Sequence, residues 1–281
     1  MSNIGVVDIG SNTVRVVVYA GGEIVYNKAA LSQIFAYTRD GKFLPEGTKW
    51  LAETITALCA AAPDCGKISA YATSAFRDLE NRAEVAAEVE RLTGIPVAVL
   101  SERDEAMCDF LALKSIGASD GTGIDLGGGS CQIVEFADGE LGSYVSLPIG
   151  CNRLAAGYVS GEMPRNEELL CIAAAVGDKI SGFKNTGVLY AMGGTSKLAL
   201  KVRKELRGID SDDITPEELW EITRLSRTAE GFAAVRKAAR ERSKTAVVGF
   251  AIIAAIAEKL GAARISVCRA SSREGFLLLK K

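Results

Sequence analysis

The stretch GIDLGGGSCQIVEF (residues 123–136) places an aspartate directly before leucine and three consecutive glycines, and then returns to apolar residues. The same pattern occurs 117 residues earlier, because DIGSNTVRVVVYAGGE (8–23) aligns without gaps on DLGGGSCQIVEFADGE (125–140). Each copy is typical of an apolar strand, a glycine-containing turn, a second strand and another turn into a third. The repeat therefore predicts the same three-stranded meander twice.

After each meander the pattern changes to helices that alternate with short apolar strands. The first half predicts, in order, a helix near 46–62, a strand at 67–72, a helix near 78–93, a strand at 95–100 and a helix at about 102–115. The second half predicts a helix near 166–184, a strand at 187–191, helices from about 195 to 260 and a strand at 263–269. We expect a mixed sheet flanked by helices in each half, with the ligand in a cleft between the two.

The length and composition indicate a two-domain protein of the cytoplasm. The chain has 281 residues, of which 48% are hydrophobic and 24% charged, and it contains no run of 18 apolar residues and no leader pattern. The net charge of -2 argues against broad binding to nucleic acid, since no excess of basic charge is available to displace phosphate counterions. Seven scattered cysteines favour reduced thiols over a disulfide framework or a zinc site. We expect no membrane and no nucleic acid among its partners.

The absence of histidine excludes several catalytic classes at once. Zinc sites of the H-E-x-x-H type, Ser-His-Asp triads and metal phosphohydrolases with histidine ligands all require imidazole. Proton transfer must therefore use a carboxylate, a lysine or a tyrosine. A bound metal should have oxygen ligands, which favours Mg²⁺.

The two repeated turns are suited to binding phosphate. Consecutive amides in a tight turn can form a concave anion site, and glycine allows both an unusual backbone and close approach of a phosphate oxygen. Gly127, Gly128 and Gly129 are the candidates for this role. Side-chain donors could come from the polar residues of both turns, which are Ser11, Asn12, Thr13 and Ser130.

The aspartates before the turns, Asp8 and Asp125, are candidates to hold Mg²⁺ directly or through water. The alternative is that two glycine-rich hairpins merely turn tightly. Two turns in register, each with a matched acid, favour a phosphate site.

The repeated motifs and LYAMGGTSKLAL (189–200) resemble the phosphate motifs and the third glycine motif of the acetate and sugar kinase, heat-shock-70 and actin superfamily. That resemblance implies duplicated actin-like ATPase domains of the ribonuclease H-like kind. Further stretches are similar to the exopolyphosphatase and guanosine pentaphosphate phosphatase family in its short two-domain form: YATSAFRDLENR (71–82), VLSERDEA (99–106), SLPIGCNRL (146–154) and SSREGFLLL (271–279).

This second resemblance implies a hydrolase that uses Mg²⁺, or Mn²⁺, to release terminal phosphate from inorganic polyphosphate or from guanosine pentaphosphate. It also implies a homodimer. We predict a first domain at 1–115, joined by a C-terminal helix at about 272–281, and a second domain at 116–271.

The resemblance assigns the catalytic base to Glu105. A glutamate is also the natural base for an attacking water in a chain without histidine. The remaining candidates would bind phosphate, and they are Arg15, Thr73, Arg77, Gly193, Gly194 and Thr195. An alternative for Arg77 is a surface ion pair with Asp78 or Glu80.

The chain departs from the family pattern at two places. Glu102 stands where the family has glycine and Arg103 where it has an acid, and Arg242-Ser243-Lys244 replaces a usual Arg-Ala-Asp. Two other function classes therefore stay open at this point. One is a kinase or ATPase of the same superfamily, and the other is a catalytically weak protein that binds polyphosphate or guanosine polyphosphates.

Overall fold

A computed structural model of the chain describes residues 2–183, 186–239 and 242–280. The chain divides into two compact units, Met1–Glu105 and Ala106–Lys281. The domain boundary near residue 115, the return of the last helix to the first domain and the cleft between the halves stay predictions. The predicted ends at residues 1, 184 and 281 lie outside the described residues.

The first unit is built around a five-stranded sheet with helices and also contains a small two-stranded sheet. Its strands are β1 (Ile4–Ile9), β2 (Thr13–Ala20), β3 (Glu23–Leu31), β4 (Thr38–Arg39), β5 (Lys42–Phe43), β6 (Lys67–Ala72) and β7 (Val97–Val99). Its helices are α1 (Pro45–Ala60), α2 (Ser74–Arg77), α3 (Arg82–Thr93) and the start of α4 (Glu102–Ser115). The sheet has the order β3-β2-β1-β6-β7, with β1 to β3 antiparallel and β6 and β7 parallel to β1. A mixed sheet results, as predicted.

The second unit repeats this plan. Its strands are β8 (Gly121–Leu126), β9 (Cys131–Ala137), β10 (Glu140–Leu147), β11 (Val188–Met192), β12 (Asp213–Ile214) and β13 (Arg264–Val267). Its helices after α4 are α5 (Cys151–Tyr158), α6 (Asn166–Lys179), α7 (Gly193–Arg207), α8 (Pro216–Leu225), α9 (Ala229–Ala239), α10 (Ser243–Lys259) and α11 (Ser272–Leu279). The sheet order is β10-β9-β8-β11-β13-β12, with β11 parallel to β8.

The two meanders have the same register, so the predicted repeat is confirmed. Asp8 on β1 lies opposite Arg15 on β2, and Asp125 on β8 lies opposite Gln132 on β9. In each unit the first strand of the meander then pairs in parallel with the strand that follows the next helices, β6 or β11. The carboxyl ends of β1 and β6, and likewise of β8 and β11, therefore lie side by side.

Buried aliphatic residues explain why each unit is compact. In the first unit the apolar faces of β1 and β2 pack against α1 and α3. In the second unit α10 contacts α5, α6, α7, α8 and α9, and its residues from Ala246 to Ala257 are buried. Each fully buried Ile or Phe of this kind stabilises the fold by about 1.5–3 kcal/mol. Helix α10, which contains most of the apolar stretch AVVGFAIIAAIAEKL (246–260), is thus a core helix.

The cysteines agree with the expectation of reduced thiols. All seven cysteines are free thiols, and four of them are buried. Among the described residues, the helices include none with the length and apolar character needed to cross a bilayer.

Candidate active site

The glycine turn of the second unit is held from one side by the start of α5. The amide of Gly127 closes the turn by donating to the carbonyl of Ser130 (3.0 Å). The three glycine carbonyls accept hydrogen bonds from the first residues of α5: Cys151 N to Gly127 O (3.0 Å), Asn152 N and Arg153 N to Gly128 O (2.9 and 3.2 Å), and Arg153 Nε to Gly129 O (3.1 Å). The carbonyls of the turn therefore accept from amides at the start of α5 that have no hydrogen-bond partner inside the helix.

These bonds determine where the amides of the turn point. A planar trans peptide holds its C=O and N–H on opposite sides, and none of the described peptide bonds is cis. Because three successive carbonyls face α5, the amides of Gly128, Gly129 and Ser130 point away from it. Consecutive amides on one side are the geometry of a backbone anion site. This orientation supports the predicted phosphate-binding role, which stays a prediction.

Close approach explains the glycines better than an unusual backbone does. A Cβ on Gly150, the residue before α5, would stand 2.4 Å from the carbonyl carbon and oxygen of Gly128. Gly127 is not among the described glycines with positive φ. A Cβ at Gly127 would stand 3.3 Å from the carbonyl oxygen of Ser130. Glycine at position 150 therefore lets the start of α5 touch the turn, whereas a Cβ at Gly127 would be tight only against the turn itself.

Gln132 is a residue of this site that the sequence analysis missed. It is 4% exposed on β9, and its Nε2 donates to the hydroxyls of Ser130 and Ser146, each at 3.1 Å. Since the Ser130 oxygen accepts this bond, its hydroxyl hydrogen is directed elsewhere. The signal in the sequence was a polar residue within an otherwise apolar strand, next to the turn.

The corresponding turn of the first unit has the same closing hydrogen bond and different support. Gly10 N donates to Thr13 O (3.0 Å), and the carbonyl of Asn12 accepts from the amide of Ser32 (2.9 Å). The side chains of Ser11, Asn12 and Thr13 are all half-buried. This turn therefore offers polar side chains where the second offers backbone.

Arg15 lies on β2, directly opposite Asp8. Opposite residues of an antiparallel pair project from the same face of the sheet, so the two side chains are neighbours. Arg15 Nη1 also donates to Asn27 Oδ1 (2.5 Å). Arg15 thus stands beside the candidate metal ligand Asp8.

The next parallel strand of each unit ends in a further candidate. Thr73 follows β6, and its amide donates to the carbonyl of Ile9 at the end of β1 (3.4 Å). Gly193 follows β11 with φ +90°, and a Cβ there would stand 2.9 Å from Asp125 Oδ1. The structure thus places Thr73 beside β1 and Gly193 against the carboxylate at the end of β8.

Helix α7 begins at Gly193. Its N-cap residue, Met192, makes no capping hydrogen bond with its side chain. The amides of Gly194 and Thr195 belong to this first turn, and a helix N-terminus with exposed amides favours anions. Thr195 Oγ1 lies 3.7 Å from Cys151 Sγ. Helix α7 and the start of α5 are therefore neighbours in the second unit.

The thiol of Cys151 is poorly suited to act as a nucleophile. Burial raises the pKa of the Cys151 thiol to about 11, and the hydrogen bond with Thr195 offsets this only in part. A thiol with so high a pKa stays protonated near neutral pH and is a poor nucleophile. Cys151 therefore contributes packing and its backbone amide.

Glu105 and Arg77 form an ion pair in the first unit. Glu105 lies in the first turn of α4 and is 6% exposed, and Arg77 Nη1 is 2.5 Å from its Oε2. The same nitrogen donates to the carbonyl of Leu100 (3.1 Å). A short charge-assisted bond between two mostly buried groups fixes the position of the carboxylate. The structure brings together two residues that the sequence analysis had selected separately.

Glu105 differs in its surroundings from the other acids at the start of α4. Glu102 and Arg103, the two departures from the family pattern, are exposed. Asp104 Oδ2 accepts from the hydroxyl of Ser101 (2.7 Å), and the Ser101 Oγ accepts from the amide of Asp104 (3.1 Å) and so caps the helix. Glu105 is therefore the acid of this segment that is both buried and paired with a cation.

The other departure lies at the start of α10. Lys244 stands where the family has an acid, and its Nζ donates to the carbonyl of Val159 (3.1 Å). Arg242 Nη1 is 3.9 Å from the position that a Cβ of Gly194 would occupy. A guanidinium thus lies near the start of α7, and the sequence analysis had noted it only as part of a motif.

The carboxylates present suit Mg²⁺ bound mainly through water and phosphate. Among the described residues, no three or more acidic, histidine or cysteine side chains cluster closely enough to form a metal cage. Mg²⁺ is commonly held by one or two carboxylates together with waters and substrate phosphates. Asp8 in the first unit and Asp125 in the second each lie near the end of a strand beside a glycine turn, and each is a carboxylate of this kind.

Comparison with known proteins gives the family. A model of the Ppx/GppA phosphatase family matches residues 37–280. The chain is 28% identical to exopolyphosphatase 1 of Mycobacterium leprae, with 99% of this chain and 89% of that protein aligned. It is 27% identical to exopolyphosphatase 1 of Mycobacterium tuberculosis strain H37Rv, with 99% and 88% aligned.

The fold is similar to the crystal structure of the Aquifex aeolicus member of the Ppx/GppA family. The TM-score is 0.81 at 20% identity, covering 99% of this chain and 97% of that one. The predicted fold class, duplicated actin-like α/β units with mixed sheets, is confirmed, as is the prediction of a phosphatase-type hydrolase. A family match over most of its length shows that the chain belongs to the Ppx/GppA phosphatase family.

Proposed function

We propose that the protein is a Mg²⁺-dependent exopolyphosphatase, which releases the terminal phosphate of inorganic polyphosphate by hydrolysis. The observation that carries this proposal is the buried carboxylate of Glu105, held 2.5 Å from Arg77 in a member of a phosphatase family. A fixed carboxylate suits a hydrolase, which needs a base to orient and deprotonate water.

Glu105 orients the attacking water and takes up its proton. The oxygen of water forms a bond to the terminal phosphorus while the bond from phosphorus to the bridging oxygen breaks. Phosphoryl transfer through a largely dissociative transition state leaves the protein mainly with placement and charge neutralisation. The ion pair with Arg77 serves placement, because it holds the carboxylate of Glu105 in one position.

The phosphate groups are bound by the amides of both glycine turns and by nearby cations. In the second unit these are the amides of Gly128, Gly129 and Ser130 and the first turn of α7 with Gly193, Gly194 and Thr195. In the first unit they are Ser11, Asn12, Thr13 and Thr73, with Arg15 and Arg77 as cations. Asp8 and Asp125 would hold Mg²⁺ or Mn²⁺, which would supply neutralisation of phosphate charge.

The choice of polyphosphate as substrate is supported by the similar mycobacterial proteins, which are named exopolyphosphatase 1. Guanosine pentaphosphate is a second proposed substrate and is supported only by resemblance to the family. We also propose a cytoplasmic homodimer. Sedimentation of the purified chain tests the dimer.

The test is phosphate release from polyphosphate, guanosine pentaphosphate and ATP by the parent and by Glu105→Gln. Glutamine keeps the shape of the side chain and one acceptor oxygen but removes the base, so turnover should fall by roughly 10² to 10⁴. Binding of polyphosphate should persist, because a negative charge has been removed.

Glu102→Gln is the matched control, since Glu102 lies in the same helical turn but is exposed. It should change turnover only slightly. Equal turnover of Glu105→Gln and the parent, with an inactive Glu102→Gln, would show that the base is another acid of α4. Release from ATP alone would favour an ATPase, and tight binding without release would favour a polyphosphate-binding protein.

A further inference from the structure

Arg153 occupies a special place at the start of α5. Its backbone amide donates to Gly128 O (3.2 Å), and its Nε donates to Gly129 O (3.1 Å). One residue therefore holds two successive carbonyls of the glycine turn. Arg153 belongs to the motif SLPIGCNRL (146–154).

No backbone amide at the start of α5 remains for the carbonyl of Gly129. The amides of Cys151, Asn152 and Arg153 are used by Gly127 and Gly128, and the amide of Leu154 donates to Gly150 within the helix (3.0 Å). The last carbonyl of the turn can be held from this helix only by a side chain. Arg153 supplies that donor.

The bond to Gly129 O acts on the neighbouring amide. The carbonyl of Gly129 and the amide of Ser130 belong to one planar peptide, so fixing the first also fixes the direction of the second. A cationic donor forms a stronger hydrogen bond than a neutral one and polarises the peptide, which makes its N–H a better donor. The planar guanidinium also restricts the direction of the Nε donor, which a lysine ammonium does not.

We propose that Arg153 is a positioning residue for phosphate binding, which holds the Gly129 carbonyl so that the Ser130 amide joins those of Gly128 and Gly129 on one side. The inference rests on the proposed function in one respect, namely that the anion at this turn is a phosphate of the substrate. The orientation of the turn itself does not depend on that function.

The experiment compares Arg153→Ala and Arg153→Lys with the parent, using the full chain and tripolyphosphate as the probe. Loss of one positioning hydrogen bond should weaken tripolyphosphate binding and raise KM about 3- to 10-fold. The value of kcat should change less than KM. Arg153→Lys should recover part of the affinity, because an ammonium can still donate to the carbonyl.

Arg227→Ala is the matched control. Arg227 Nε also donates to a backbone carbonyl of the second unit, that of Pro164 (2.8 Å), but not to the turn. It should lose stability to a similar extent and keep its affinity for tripolyphosphate. Affinity and KM of Arg153→Ala within twofold of the parent, or an equal loss in Arg227→Ala, would overturn the proposal.

A measurement without ligand separates this proposal from the proposed function. The amide NMR signals of Gly128, Gly129 and Ser130 should shift or broaden in Arg153→Ala and stay unchanged in Arg227→Ala. If the parent hydrolyses no polyphosphate while these signals respond as expected, the proposed function fails and the positioning of the turn stands. Unchanged turn signals in Arg153→Ala would overturn the positioning role whatever the activity.

Discussion

The two repeated turns share one backbone plan and are supported in different ways. Gly10 donates to Thr13 and Gly127 donates to Ser130, each at 3.0 Å. The first turn carries the polar side chains of Ser11 and Asn12. The second carries glycines whose carbonyls are held by α5.

A duplicated backbone can thus offer donors to an anion in two ways. Side-chain donors can be removed one at a time by substitution. Backbone donors have no side chain to remove, so they can be tested only through the residues that hold them in place. The following changes test this contrast between the turns.

The largest effect is expected from the aspartates that precede the turns. Asp125→Asn should reduce phosphate release at least about 100-fold, because a lost metal ligand costs several kcal/mol of charge stabilisation. Asp8→Asn should also lower activity, and a Mg²⁺ titration of both variants would show which turn depends more on the ion. Full activity of the parent in excess chelator would contradict the metal requirement.

The contact between the second turn and α5 can be broken at Gly150. In Gly150→Ala the added Cβ would meet the backbone of Gly128 at 2.4 Å, and backbone cannot move as a flexible side chain can. We expect a loss of roughly 1–3 kcal/mol in the free energy of unfolding, measured by urea denaturation, and weaker tripolyphosphate binding.

Gly157→Ala is the control on the same helix. A Cβ at Gly157 would meet nothing within 4 Å. The substitution should stabilise the protein by about 0.5–1 kcal/mol, since alanine is the better helix former. If both alanine variants bind tripolyphosphate as the parent does, the turn does not need its close contact with α5.

The two units also differ in the residue that follows the strand parallel to the meander. This residue is Thr73 after β6 in the first unit and Gly193 after β11 in the second. Gly193→Ala would place a methyl 2.9 Å from Asp125 Oδ1 at φ +90°. Gly208→Ala, at the other end of α7, would meet nothing within 4 Å at φ +70°. Both should destabilise by about 1 kcal/mol through the left-handed backbone.

The two variants should differ in their response to Mg²⁺. Gly193→Ala should need more Mg²⁺ for half-maximal activity, because the methyl displaces the carboxylate of Asp125. Gly208→Ala should keep the Mg²⁺ response of the parent. The same response in both would mean that the Asp125 carboxylate tolerates the methyl.

The smallest effect is expected at Glu168, which lies on α6 in the second unit. Its carboxylate accepts from the amides of Arg165 (2.7 Å) and Ser160 (3.1 Å), and these bonds lower the pKa of Glu168 from 4.5 to about 2. A depressed pKa contributes stability that is present above pH 4.5 and is lost as the pH falls from 4.5 towards 2.

Glu168→Gln should therefore unfold more easily than the parent at neutral pH. The difference between the two midpoints of urea denaturation should shrink as the pH falls below 4.5. Glu167→Gln, at the exposed neighbouring position, should behave as the parent does. A pH-independent difference for Glu168→Gln would contradict this electrostatic explanation.

The sequence predicted most of the fold, because apolar alternation and glycine-rich turns report directly on strands and hairpins. The repeat predicted even the shared register of Asp8 and Asp125. The boundaries were less accurate near 78–93, where the structure has the short helix α2 before α3. The single predicted helix began near 78, so the prediction missed α2 and placed the start of α3 too early, within residues 78–81 that separate the two helices.

The site was predictable only in part. Glu105 and Arg77 were selected through family resemblance, but their pairing joins residues that no local pattern connects. The hydrogen bonds from α5 to the glycine turn were not predicted, because they are accepted by backbone carbonyl oxygens, which every residue has. Only the glycine at Gly150, and a polar Gln132 within an apolar strand, marked these contacts in the sequence.

The hydrogen bonds between the glycine turn and α5 should couple the local unfolding of the two segments. The first turn of α5 can open only when its amides release the carbonyls of Gly127 and Gly128, so turn and helix should open as one cooperative unit. Hydrogen exchange at Cys151 and Asn152 thereby becomes a probe of the turn. An anion that binds the turn amides should slow exchange in a helix it does not touch.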